Sequence, residues 1–491
     1  MVSAHGNGMK NGLHGKGDAP RPVPSGTILF KDIGMLATFN EKEEEIPDGA
    51  IFVKGNVIEW VGSTADLPEE YSTADEVMSM KDHLIMPGMV NTHHHMFQCL
   101  TRCVAQDSYL FGWLSTCYSA WEHMQANDMF TACKLAMAEL ILSGCTTSSD
   151  HLYIYPNDVT VGDSVRAARA IGMRFHPTRG AMSLGVSKGG LPPDSCCEEE
   201  DVALQRMEDA IKEYHDNSKY SMIRMVLAPC SPFTVTKDLM VKAAQLARKY
   251  EGVRLHTHMA ENQEDIDFLE KMFSARPKAY IEEVGWDQDD VWFAHCCCLD
   301  DDDCKLYASK GLGIAHCPSS NMRLASGIAP VAKWLDSGIN VGMGVDGTSS
   351  NDSGHMLAEV RLAMFLQRGG NNRLDVNCRK VLKMSIHGGA KNLGRTDIGQ
   401  IAPGFAADFV GWKTNTIGFA GGLHDKVANL IMAAPSVGWV DLSVINGDII
   451  VKDGVLQTLD LQELINEHNQ CSARLVKHLP KGWQSGIPSN C

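Results

Sequence analysis

The sequence predicts an α/β protein, a (β/α)8 TIM barrel carrying a small β-sandwich domain built from both chain ends. Two observations predict it. Between residues 84 and 346, eight short apolar runs that end in polar residues alternate with helix-patterned stretches. On either side of that block the pattern changes to alternating runs joined by tight turns, "GAIFVKGNVIEWVG" (49–62) before it and "LSVINGDIIVKDGVL" (442–456) after it.

Taken in order, residues 1–25 are rich in Gly, Pro and Lys, lack an apolar stretch of secretory type, and read as a flexible tail. Residues 26–85 and 396–456 are expected to pair into the sandwich, with the barrel over 86–395. The eight runs are LIMPGMVNTH (84–93), CTTSSDH (145–151), MRFHPT (173–178), MIRMVLAP (222–229), VRLHTHMAE (253–261), VWFAHC (291–296), LGIAHCP (312–318) and INVGMGVDG (339–347). Between the first two, Phe130, Cys133, Met137, Leu140 and Ile141 share a helix face, opened by Asn127 or Asp128 and closed by Gly144. Such units close a parallel barrel whose active site lies at the C-terminal strand ends, the doubly wound open sheet being the rival. Residues 457–491 begin amphipathic and end in Gly, Pro and Ser, a tail with no function assigned.

Composition narrows the chemistry. A formal net charge of −16 with no basic cluster argues against nucleic acid or anionic membrane as a partner and favours a small-molecule substrate. The 16 cysteines form no CxxC framework and read as reduced thiols of a cytoplasmic protein. No run of 18 apolar residues predicts a membrane span.

In a barrel the last side chains of each strand share one mouth, and four runs end in metal-ligand types: His93, His94 and His95; His256 and His258; His295; and Asp346. Side chains alternate along a strand, so His93 and His95 point together while His94 points away. His256 and His258 both face inward, with His258 about 6–7 Å nearer the mouth and the better ligand. Three imidazoles and one carboxylate suit a single divalent metal, Zn²⁺ first and Fe²⁺ second, that lowers the pKa of a water to about 7. Glu261, three residues past His258, is placed to move protons, and Asp346 is both ligand and a possible second base. His295 is either a ligand or a hydrogen-bond donor to the reacting centre. His151, His176 and His316 also stand at strand ends, where a lone histidine is more often structural.

Other motifs carry less. "GMGVDG" (342–347) fits GxGxxG, but no helix begins at its glycines. "GVSKG" (185–189) fits GxSxG, yet "GLPPD" follows where a nucleophile elbow needs a helix. "APCSPF" lacks the second Cys of the PCxxC deaminase signature.

Together "PGMVNTHHH", "HTHMAE", "FAHC", "HCPSSNMRLASG" and "GVDGTSSNDSGH" resemble the amidohydrolase superfamily in its mononuclear aminohydrolase branch, and "GQIAPGFAADFVGW" (399–412) is similar to that family's split sandwich. The resemblance spans roughly residues 26–456. It implies that His93, His95, His258 and Asp346 hold the metal, that Glu261 shuttles the proton, and that His295 hydrogen-bonds beside them. It gives His94 and His256 no role, and strands three and four offer no Lys for the two-metal branch. Longer stretches, among them "NTHHHMFQCLTR" and "FHPTRGAMSLGVSKGGLPPD", are similar to the group of heterocycle hydrolases that includes 8-oxoguanine deaminases, isoxanthopterin deaminases and triazine hydrolases. The nearest resemblance implies release of ammonia from the 2-amino group of 8-oxoguanine, giving urate, with isoxanthopterin, guanine or an aminotriazine as alternative substrates. Ammonia leaves only when protonated, whereas chloride needs no proton, so Glu261 favours an amine. A catalytically inactive barrel used as a scaffold is the rival from another class, and it would be marked by missing ligands.

For the substrate pocket, Gln98 follows His95 near the mouth, and Trp113, Tyr118 and Trp121 lie in the long insertion after strand one. His151, Tyr153 and Arg179 follow strands two and three and are candidates for ring carbonyls. A heterocyclic substrate and a homo-oligomeric assembly complete the expectation.

Overall fold

Eight parallel strands form a closed ring in the computed structural model, which describes residues 19–483. They are β1 (Met89–Asn91), β2 (Cys145–Ser149), β3 (Arg174–His176 and Thr178–Ala181), β4 (Val226–Pro229), β5 (Arg254–Met259), β6 (Val291–His295), β7 (Gly313–His316) and β8 (Asn340–Met343). Strand β3 is interrupted at Pro177, which has no amide hydrogen to donate; its first half pairs with β2 and its second with β4. Strand β8 returns to β1 through Met343 opposite Asn91. The ring excludes the open doubly wound sheet.

Seven of the eight expected runs each supply one barrel strand. The first is divided. Residues His83–Pro87 pair antiparallel with Phe409–Lys413 in the sandwich, and only Met89–Asn91 enters the barrel. The break is at Gly88, where a Cβ would overlap the Thr146 side chain of β2, so the chain passes from one sheet to the other at a point that admits no side chain.

The sandwich consists of a four-stranded sheet (Val57–Ser63, Gly49–Lys54, Thr27–Ile33, Glu76–Ser79) and a seven-stranded sheet that runs from Val455–Leu456 through Phe409–Lys413 and His83–Pro87 to Glu45–Ile46. Their inner faces bury Phe30, Ile51, Ile58, Ile85, Phe409 and Leu442, with the Phe30 and Phe409 rings edge-on at 5.1 Å. The Asn446–Gly447 turn has both residues at positive φ (52° and 81°), the twist that a two-residue hairpin demands. Barrel and sandwich are joined by a buried pair, in which Arg174 of β3 donates to both carboxylate oxygens of Asp408 at 2.6 and 2.9 Å.

Three helices bear on the site. After β1 come α1 (Leu110–Trp121) and α2 (Ala126–Leu142); α2 is opened by Gln125, two to three residues before the expected Asn127 or Asp128, because Asp128 caps back to the Gln125 amide at 2.8 Å. The stretch after residue 457 contains α3 (Leu461–Leu475), which packs on α2. Residues 1–18 of the expected N-terminal tail and 484–491 at the other end lie outside the described residues. Among the described residues no helix is long and apolar enough to cross a membrane.

Candidate active site

The C-terminal ends of β1, β5, β6 and β8 deliver six ionisable side chains to one buried point: His93, His95, His258, Glu261, His295 and Asp346. Two of them stand on strained backbone. His295 (φ 70°) and Asp346 (φ 62°) are non-glycine residues in the left-handed region, at about 1–2 kcal/mol each. Asp346 is held there by its amide, which donates to the His93 carbonyl at 3.0 Å.

The ring nitrogens fix their own tautomers. His95 Nδ1 lies 2.7 Å from the His151 carbonyl and His258 Nδ1 lies 2.6 Å from the Cys230 carbonyl. A carbonyl only accepts, so both Nδ1 atoms carry the hydrogen, and burial keeps both rings neutral, His95 pushed down to about 3 and His258 well below its ordinary value. Each Nε2 is therefore a bare lone pair, yet the two face each other at 3.0 Å. His93 follows the same logic through one more residue. His256 donates from Nδ1 to the Trp292 carbonyl at 2.9 Å, so its Nε2 accepts from His93 Nδ1 at 2.8 Å and leaves His93 Nε2 bare. That atom has no hydrogen-bond donor and lies 3.3 Å from Asp346 Oδ1, which is also 3.4 Å from His95 Nε2. These three Nε2 lone pairs and the Asp346 oxygen, with the bare Nδ1 of His151 in the same histidine cluster, converge without a proton between them and repel one another unless a cation lies among them. The donor set fits a divalent metal.

Beside this cluster, Glu261 Oε2 is 3.7 Å and Asp346 Oδ2 is 3.8 Å from His295 Nε2, while His295 Nδ1 meets Asn321 Oδ1 at 2.8 Å. Burial opposes charge on His295, but the two carboxylates outweigh it and raise its pKa. Burial pushes the Glu261 carboxyl up to about 7, with His295 pulling the other way. Asp346 is held well below the carboxylate range despite its burial. Two carboxyls that both approach His295 Nε2 are thus set to different protonation behaviour, one driven below the carboxylate range and one raised to about 7.

Above the cluster is a pocket of about 370 Å³ including its opening, walled by Leu110, Trp113, Leu114, Tyr118, Tyr153 and Phe233, with Gln98, Cys230 and Ser350 as its polar points and no Lys or Arg in the lining. Gln98 donates to the Tyr153 hydroxyl at 3.3 Å and its amide oxygen has no hydrogen-bond partner among the described residues. Trp113 lines the pocket with its indole nitrogen donating to the Ser349 carbonyl at 3.1 Å.

Not every expected contact arrives. Arg179 is turned away: its guanidinium pairs with Glu198 at 2.8 and 2.9 Å, donates to the Gly180 carbonyl and lies 3.7 Å over the Tyr155 ring, so its donors are consumed outside the pocket. His151 lies among the clustered imidazoles rather than in the pocket wall, its ring stacked on His258 at 4.7 Å and its carbonyl orienting His95. Trp121 stands behind the wall, donating to Thr101 at 3.0 Å. His94 is buried and does not join the convergent set. Conversely, His256 and Asn321 hold rings of the cluster although sequence spacing gave neither a role; the HxH parity of β5 was the one available sign for His256.

Residues 84–450 match the amidohydrolase family. The chain belongs to that family. Among its amidohydrolase relatives, 8-oxoguanine deaminase of Pseudomonas aeruginosa is 37% identical over 445 residues, covering 90% of this chain and 98% of the relative. Hydroxydechloroatrazine ethylaminohydrolase of a Pseudomonas species is 33% identical over 467 residues, 92% and 96% of the two chains. Of solved amidohydrolase structures, an atrazine chlorohydrolase from Arthrobacter aurescens complexed with zinc superposes with a TM-score of 0.85 at 29% identity, over 91% of this chain and all of that one. As an amidohydrolase related to deaminases, the protein is a hydrolase of carbon–nitrogen bonds.

Proposed function

We propose that the chain is a metal-dependent deaminase of amino-substituted N-heterocycles, with 8-oxoguanine, hydrolysed to urate and ammonia, as its substrate. The observation that carries this reading is the convergence of three bare imidazole nitrogens and Asp346 beneath a pocket, walled by aromatic and aliphatic side chains, whose one poised carboxyl is Glu261. His93, His95, His258 and Asp346 would hold the metal; zinc suits the nitrogen-rich set, and the related atrazine chlorohydrolase was solved with it. When bound, such a metal supplies a Lewis acid that makes water nucleophilic at neutral pH.

The remaining work falls to the chain. Glu261 takes a proton from the attacking water and returns it to the departing nitrogen, two transfers served by a carboxyl pushed up to about 7. His295, charged between Glu261 and Asp346, donates a hydrogen bond to the oxygen entering at the attacked carbon. Trp113, Tyr153 and Phe233 clamp a planar ring and exclude bulk water, and Gln98 reads a ring edge with its unpartnered amide atom. With no Lys or Arg in its lining to meet a phosphate, the pocket suits a free base rather than a nucleotide. The proton shuttle also favours ammonia over chloride as leaving group.

Ammonia release by metal-loaded protein from 8-oxoguanine, guanine, isoxanthopterin, cytosine and aminotriazines tests the reading. The highest kcat/KM is expected on 8-oxoguanine. Release from none of them would overturn the function, and a clear preference for another would overturn the substrate.

A further inference from the structure

The residue after His95 begins a 3-10 stretch, Met96–Thr101, that carries Gln98 into the pocket, and all six of its residues are buried. So short a 3-10 segment has little stability of its own, and its buried polar groups need partners from elsewhere. The Thr101 carbonyl accepts from Ser349 Oγ at 2.8 Å. The Met96 amide donates to Asp150 Oδ1 at 2.9 Å, Trp121 Nε1 donates to Thr101 Oγ1 at 3.0 Å, and Cys99 Sγ lies 3.5 Å from the Ala132 carbonyl. Two more anchors come from α3: Ser472 Oγ donates to the Leu100 carbonyl at 2.7 Å, and His468 Nε2 lies 3.2 Å from Cys99 Sγ. Helix α3 starts ten residues or more after the family match ends at 450. It is capped by Asp460, buries Leu464, Cys471 and Leu475, and is flanked by ion pairs from Glu467 to Lys134 and from Arg474 to Asp128. Burial holds the His468 imidazole down to about 4, so it meets the thiol as a neutral ring.

Gln98 has little slack. Its amide is bound to Tyr153 on one side and wedged against Gly347 on the other, where a Cβ would overlap the amide oxygen. A shift of the 3-10 segment therefore becomes a shift of the group that meets the ring edge.

We propose that His468 and Ser472 are positioning residues that fix Gln98 in the substrate pocket through the Met96–Thr101 segment, making α3 a working part of the site. The proposal rests on the reading of this pocket as the heterocycle site. It concerns binding and leaves the ligand cluster untouched, so Ser472→Ala and His468→Ala in the full metal-loaded chain should each raise KM by about tenfold, with kcat and metal content within about twofold of the parent. His468→Gln, which keeps an acceptor, should recover part of the loss, and Glu467→Gln, which removes only an exposed ion pair, should keep the parent KM. Parent KM in both alanine variants, or proportional loss of kcat and metal, overturns the proposal. If His468→Ala does not fold, Ser472→Ala, lacking one hydroxyl, decides alone. If the parent releases no ammonia from any heterocycle, the function fails separately, and calorimetry with urate still judges the positioning: about tenfold weaker binding by Ser472→Ala supports it, and equal affinity overturns it.

Discussion

His93, His95 and His258 each give one ring nitrogen to a neighbour and the other to a common point, and the neighbours decide which is which. Strand parity made the HxH pair and His258 legible in the sequence. What it could not show is the partner across the barrel: that His256 of β5 would stand behind His93 of β1 depends on the ring closing with those strands opposed. Replacing His256 with Phe removes the acceptor that sets the His93 tautomer, and metal affinity should fall about 10–100-fold in a competition titration. Glu261→Gln keeps every ligand and loses the shuttle; metal content should be unchanged while kcat drops by about 10²–10⁴-fold in the ammonia assay. Arg179 shows the limit of reading residues one at a time, because nothing in its own strand announces that Glu198, nineteen residues later, will claim its guanidinium.

At the scale of the element, the strand ends are where the backbone is bent to its task. His295 and Asp346 at positive φ turn their side chains into the mouth; Asp and His enter that region more often than most residues, but nothing in the sequence singles out these two among the many Asp and His of the chain. The division of the first apolar run at Gly88 was equally hidden, since a run buried in two successive sheets has the same hydrophobicity as a run buried in one. Gly88→Ala should destabilise by about 2–3 kcal/mol in urea unfolding, because the added methyl meets Thr146 on a neighbouring barrel strand. Just beyond β8, Glu359 takes hydrogen bonds from the Ser319 amide at 3.1 Å and Asn351 at 3.0 Å, bracing the loop after Asp346, yet burial pushes its carboxyl up to about 7. A carboxyl raised in the folded state penalises its charged form, so the penalty is full above pH 7 and is relieved as pH falls from about 7 towards the ordinary 4.5. Unfolding free energies at pH 5.5 and 7.5 should differ less in Glu359→Gln than in the parent.

For the whole molecule, the alternation of eight runs and the hairpins at both ends carried the architecture, because periodicity reports burial on one face or two regardless of partner. Long-range polar joints carried no such signature. Arg174 and Asp408, separated by 234 residues, meet fully buried between barrel and sandwich. Breaking such a pair leaves a charge without its counterpart, and Asp408→Ala should cost about 3–5 kcal/mol of stability by thermal or chemical unfolding. Helix α3 belongs here too: its amphipathic pattern was visible, but a surface it could cover was not, since that surface is made by Met96–Thr101 and α2 from the other end of the chain. The account stands or falls on the cluster at the barrel mouth acting as one metal site. Elemental analysis of the purified chain and of His258→Ala tests it most directly: about one divalent metal per chain in the parent, zinc foremost and iron next, and a strong reduction in the variant. Less than about 0.2 equivalents in the parent, with no metal taken up and no activity gained when zinc, iron or manganese is supplied, would contradict it.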